Sequence, residues 1–151
     1  KQKDGAVTVH VIPGPQDDYF SDKGKNIFYS ETYYVTGDSD RMGIKLDGTP
    51  VESVDGVDII SDGIVAGSVQ IPSSGKPIIM MADRQTTGGY AKIATVITSD
   101  LPLLAQLRPG GSLRFEKVDL QYAVKRIKQD NKVLKKLQYK ILRADTSISG
   151  S

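Results

Sequence analysis

Residues 77–98 read Pro77-Ile78-Ile79-Met80-Met81-Ala82-Asp83-Arg84-Gln85-Thr86-Thr87-Gly88-Gly89-Tyr90-Ala91-Lys92-Ile93-Ala94-Thr95-Val96-Ile97-Thr98. Two apolar runs, 77–82 and 91–98, flank a polar segment with two adjacent glycines. Short runs of this composition, bounded by turn residues, read as strands. The segment between them is too short and too polar for a packed helix. A parallel α/β sheet needs helical patterns of about 10–15 residues between its strands. The stretch therefore points to a mainly-β fold.

Working outward, 6–12 alternates Val7, Val9 and Val11 with Thr8 and His10, the period of a half-buried strand. Pro13-Gly14-Pro15 ends it. Further strands are expected at 32–36, 42–46, 57–60, 68–71 and 112–118, with Gly37-Asp38-Ser39-Asp40 as a turn and Asp47-Gly48 as a hairpin signal. Residues 17–30 stay ambiguous, because Tyr19, Phe20, Ile27 and Phe28 suit a short helix that Gly24 weakens. Residues 101–107 suit one helical turn. About eight short strands separated by turn residues form the pattern of an all-β barrel or sandwich.

From Asp119 the period changes. Leu120, Ala123, Val124, Ile127, Leu134, Leu137 and Ile141 share one helical stripe, interrupted by Asn131 and surrounded by Lys and Arg. Asp119 is placed to cap this helix. The expected organisation is a β domain over 1–118, a basic amphipathic helix over 119–145 and a loose tail over 146–151.

At 151 residues the chain has the size of one domain. No apolar run approaches the ~20 residues that span a bilayer. Lys1-Gln2-Lys3-Asp4 resembles no signal peptide and reads as an internal cut, so the chain is expected to be a piece of something longer. There is no Cys, which excludes disulfides and thiol catalysis and favours a reducing, cytoplasmic compartment. The single His, His10, leaves no basis for a zinc site, and as a lone strand histidine it is expected to be packed or half-exposed rather than catalytic. Gly75-Lys76 is followed by Pro77, so it is no phosphate-binding P-loop. Asp38-Ser39-Asp40 begins like a calcium loop but fails at Met42 and Thr49. The net charge of +2 divides into +5 for 119–151 and −3 for the remainder. Neither nucleic acid nor membrane is an expected partner.

The chemistry concentrates at 82–92. Asp83 can accept or shuttle a proton, and Tyr90 can donate one. Arg84 and Lys92 can fix a carboxylate or phosphate. Gln85, Thr86 and Thr87 add polar groups, and Gly88 and Gly89 let backbone N–H groups turn inward as a nest. The same residues also suit a polar hairpin loop closed by a local Asp83–Arg84 pair. Arg41 either binds an anion at a strand mouth or sits on a solvent-exposed turn. Gln70, a polar residue within an apolar strand, faces either a cleft or solvent.

The run Asp83-Arg84-Gln85-Thr86-Thr87-Gly88-Gly89-Tyr90, followed by Lys92-Ile93 and Asp100-Leu101-Pro102, resembles the signature of the allophanate hydrolase subunit 2 family. This family is also called the biotin-dependent carboxyltransferase-like family, and it includes the C subunit of 5-oxoprolinase and the KipI antagonist. Four further motifs stand in matching order: 13–20 (Pro-Gly-Pro-Gln-Asp-Asp-Tyr-Phe), 39–43 (Ser-Asp-Arg-Met-Gly), 67–72 (Gly-Ser-Val-Gln-Ile-Pro) and Arg108-Pro109-Gly110. The resemblance covers roughly residues 7–118.

The resemblance implies a cyclophilin-like β-barrel, mainly β, with the long C-terminal amphipathic helix appended. It implies the C-terminal half of a bacterial subunit whose N-terminal half is missing, and a subunit 1 or KipI-type partner. The implied activity is ATP-dependent opening of 5-oxoproline, or allophanate cleavage, by a multi-subunit hydrolase of C–N bonds, with the isolated fragment inactive. Asp83, Lys92 and Tyr90 would then be catalytic. Arg41, Gln70, Arg84, Gln85, Thr86, Thr87, Gly88 and Gly89 would bind a small-molecule substrate, without a metal. ATP would act through partner subunits, with no cofactor held by this chain. Two alternatives stand beside this reading. One is a KipI-antagonist-type protein that sequesters a histidine-kinase inhibitor. The other is the carboxyltransferase module of a urea carboxylase, the only case that involves biotin. Departures from the family pattern are Ala91, where Pro is usual, and Gly111, where an acidic residue is common. No biotin-carrying Met-Lys-Met segment is present.

Overall fold

β1 (Val7–Pro13) buries Val9 and Val11 and leaves Thr8 and His10 half-exposed, as its period of two requires. It opens the first of two compact units, Lys1–Val118 and Asp119–Ser151, each taken by itself. In this computed structural model, residues 5–53, 62–82, 84 and 87–149 are described.

A 3-10 turn (Asp17–Tyr19) and α1 (Asp22–Ser30) resolve the ambiguous segment after β1. Ser21 caps α1 by accepting from the Gly24 N–H at 3.0 Å. Gly24 lies inside the helix for a packing reason: a Cβ there would run into the Glu52 carbonyl.

The strands that follow are β2 (Tyr33–Val35), β3 (Gly43–Asp47), β4 (Asp62–Gly63), β5 (Ser68–Ile71), β6 (Ile78–Met80), β7 (Thr87–Gly88), β8 (Ala91–Val96) and β9 (Ser112–Lys117). A 3-10 turn (Thr98–Asp100) and α2 (Leu101–Leu104) stand between β8 and β9. Among the described residues seven strands close a barrel in the order β1-β8-β5-β6-β3-β2-β9, while β4 and β7 form a separate two-stranded ribbon. Closure is parallel, with Val7 opposite Leu113 and Val11 opposite Lys117. The other barrel pairings are antiparallel.

Val9, Phe28, Tyr33, Ile79, Ile93 and Leu113 are fully buried in one core. Phe28 brings α1 onto the barrel by stacking on Phe115 of β9, with ring centroids 4.3 Å apart. His10 is packed as well. Asp100 Oδ2 accepts its backbone N–H and lies 2.8 Å from its Nδ1, which ties the 3-10 turn after β8 to β1.

Two turn expectations are corrected. Asp47-Gly48 makes no hairpin, because β3 pairs with β2 before it and with β6 well after it. Gly48, at φ +150, instead makes room for Tyr33, whose ring carbon Cδ1 would lie 2.8 Å from a Cβ there. The 82–92 segment is not a hairpin loop either. β6 and β8 both run antiparallel to β5, which lies between them, so they are parallel to each other. Strands that run parallel are joined by a crossover connection rather than a hairpin. The strand expected at 57–60 lies outside the described residues.

In the second unit α3 runs Leu120–Ser149. Asp119 Oδ1 accepts the Tyr122 N–H at 2.8 Å and caps it as expected. The helix extends into the expected tail because neither Gly nor Pro occurs between Asp119 and Gly150. Among the described residues no helix is long and apolar enough to cross a membrane.

Candidate functional site

All four residues of β5 are buried, so both faces of the strand are covered. Val69 and Ile71 join the barrel core. Alternation turns Ser68 and Gln70 to the other face. A β-bulge at Val69–Gln70 shifts the register against β8. Val69 pairs with Ala94, Ile93 is skipped, and Gln70 stands opposite Lys92. Directly opposed residues bring their side chains within about 5 Å at Cβ.

The result is a pair of buried donors. Gln70 is 4% exposed and Lys92 2%, yet neither Gln70 Nε2 nor Lys92 Nζ has a hydrogen-bond partner among the described residues. An unpaired ammonium held away from water costs several kcal/mol. Two such groups side by side have the donor chemistry to bind an acceptor oxygen, either a carboxylate or a polarised amide carbonyl.

The loop after β1 holds this rung in place. Gly14 N–H donates to the Ile93 carbonyl at 2.9 Å, and Gln16 Oε1 accepts the Lys92 N–H at 3.0 Å. A Cβ on Gly14 would lie 2.5 Å from the Lys92 carbonyl oxygen and 2.8 Å from the Ala94 nitrogen. Both obstacles are backbone atoms, which cannot rotate away. Gly14→Ala is therefore expected to destabilise the barrel by about 1–3 kcal/mol, read as a lowered urea midpoint. An unchanged midpoint would show that the loop can lift from β8 without cost.

The crossover is tied down by Arg84. Its Nε donates to the Ile64 carbonyl at 3.0 Å and its Nη1 to the Ala82 carbonyl at 3.2 Å. Two of the guanidinium donors thus hold backbone, which leaves fewer for a ligand than the sequence suggests. β7 pairs with β4, Thr87 opposite Gly63 and Gly88 opposite Asp62. Gly89 and Tyr90 are exposed. Asp83, Gln85 and Thr86 lie outside the described residues, and for Thr87 and Gly88 only the backbone is described.

Arg41 is not on the Gln70–Lys92 rung. That rung continues through Ile78 to Lys45, and Arg41 lies four residues before Lys45, on the order of 10 Å along the chain direction. It lines a different cleft of about 530 Å³, with Ser39, Asp40, Met81, Leu104 and Arg108 among the walls. Sequence reasoning missed Gln16 at the rung and Arg108 in the Arg41 cleft. Both stand inside motifs that carried the family resemblance, and only the fold shows what they touch. Among the described residues no cluster of His, Asp and Glu suits a metal ion.

A closed barrel with a buried polar rung in its wall defines the class, a cyclophilin-like domain. Residues 1–117 match the model of the carboxyltransferase domain, subdomain A and B, and the chain belongs to this family. It is 43% identical to the C subunit of 5-oxoprolinase from Haemophilus influenzae over 117 residues, covering 78% of this chain and 38% of that protein. It is 31% identical to the C subunit of 5-oxoprolinase from Escherichia coli over 133 residues, covering 88% and 43%. The chain thus spans less than half the length of these curated relatives. The fold is shared with urea amidolyase of K. lactis at a TM-score of 0.72 and 21% identity, over 79% of this chain and 8% of that one.

Proposed function

We propose that this chain is the C-terminal domain of a cytoplasmic subunit of an ATP-dependent amidohydrolase complex of the 5-oxoprolinase type. The observation that carries the reading is the Gln70–Lys92 pair, two buried neighbouring donors without partners among the described residues. A small cyclic amide that bears a carboxylate offers two kinds of acceptor oxygen to such a pair. The Lys92 ammonium would draw the carboxylate or the developing oxyanion, and Gln70 would orient it by a directed hydrogen bond. Asp83 and Tyr90 would move protons. Gln85, Thr86, Thr87 and the Gly88 and Gly89 amides would bind the substrate. The names of the two relatives support the substrate class. ATP would enter through partner subunits, with an allophanate hydrolase subunit 1 or KipI-type protein as the natural mate, and the chain alone would turn nothing over.

The test is a turnover assay on the intact subunit with its partner subunits, ATP and 5-oxoproline. ATP-dependent release of glutamate is expected, with no release when either ATP or the partner is left out. A stable complex without turnover would sink the hydrolase reading. Decarboxylation of a carboxylated biotin carrier by that complex would put a carboxyltransferase in its place.

A further inference from the structure

Along α3 one line of residues keeps a stricter spacing than amphipathicity requires, with Ala123, Val133 and Leu137 off it. Leu120, Ile127, Leu134 and Ile141 recur every seventh residue, and Val124, Asn131 and Gln138 recur every seventh between them. This 3–4 spacing is the heptad pattern of a coiled-coil seam, with the first set at d and the second at a. Among the described residues of this unit, Leu120 is 66% exposed, Leu134 53% and Ile141 60%.

We infer that α3 pairs with α3 of a second copy of this chain as a parallel two-stranded coiled coil. Two observations choose this occupant. The first is Asn131, the polar residue that interrupts the stripe. At an a position in a parallel dimer it meets its own counterpart, so each side-chain amide finds an amide partner inside the seam. Gln138, the next a residue, also carries a side-chain amide and meets its own counterpart in the same way; polar residues at a fix register at a cost in stability. Against a wholly apolar groove of another protein both amides would be left unsatisfied.

The second observation is charge. Asp130 falls at g and Lys135 at e, the two positions that face each other between parallel helices, g against the e five residues on. Each dimer therefore gains two opposite-charge contacts. An antiparallel pair centred on the same stretch brings e against e and sets Lys128 opposite Lys135, with repulsion on both sides.

The test is sedimentation equilibrium of the chain at micromolar concentration, with two variants. The wild type is expected to be a dimer. Leu134→Asp is expected to be a monomer whose barrel melts at the wild-type temperature, which separates loss of pairing from loss of fold. Gln138→Cys, in a chain that has no cysteine of its own, is expected to oxidise to a disulfide-linked dimer. Residue 138 meets residue 138 only in a parallel pair. A monomeric wild type overturns the inference, and capture of the helix by the partner subunit would then name its occupant. A dimer that survives Leu134→Asp, or one in which Gln138→Cys does not cross-link, overturns it as well.

Discussion

Lys92→Met in the assembled complex should cut ATP-dependent turnover by roughly 10²–10³-fold, the usual loss when one preorganised charge stabiliser is removed. The same change should leave the barrel at least as stable as before. Lys92 sits 2% exposed with no partner for its ammonium among the described residues, so methionine fills a similar volume without the desolvation cost. This combination separates a ligand-binding lysine from a structural one. A structural lysine has a partner in the resting protein, and its loss lowers the melting temperature. Thermal unfolding of the variant beside its turnover decides the matter. A clear drop in melting temperature, or wild-type turnover, would remove Lys92 from the site.

The largest stability effect is expected at α1. Phe28 is fully buried, stacks on Phe115 and meets the Tyr29 ring edge-on with centroids 5.0 Å apart. Phe28→Ala removes the anchor that holds α1 to β9 and leaves a cavity between them, costing about 3–5 kcal/mol. Urea unfolding followed by circular dichroism reads this directly. A loss below about 1 kcal/mol would mean that α1 collapses onto the barrel and fills the space. Since β9 closes the barrel against both β1 and β2, weakening should spread through the whole unit rather than stay local.

Strand positions were largely legible in the sequence because burial on one face imposes period two, and β1 shows this directly at Val7, Val9 and Val11. The cap at Asp119 and the helix after it were legible for the same kind of reason, since local chemistry fixes both. What failed was pairing. Asp47-Gly48 has hairpin chemistry, but Gly48 answers to the Tyr33 ring, a contact between residues whose proximity no local rule contains. The 82–92 segment stood out as a candidate by its polar groups, but its place between two strands that do not pair was not legible, because strand order is set by which faces are buried together. Gln70 marks the same limit. Its alternatives of cleft or solvent could be separated only by the fold, which buries it and sets it opposite Lys92 across a bulge. Gly24 shows the reverse error, a residue counted against a helix that the helix requires in order to approach Glu52.

The parallel pairing of β1 with β9 sets a schedule for the newborn chain. β1 leaves the ribosome first, yet its neighbours in the barrel are β8 and β9, and Val7 must wait for Leu113. At synthesis rates of about 5–20 residues per second that wait lasts roughly 5–20 s. Throughout it the chain carries an apolar strand with an open hydrogen-bonding edge, the kind of surface that seeks another chain. The same arithmetic makes any product that stops short of residue 112 a barrel without its closing stave, with β1 and β2 both left unpaired on that side. Quality control during synthesis therefore has a simple mark to read, the time at which the last strand arrives.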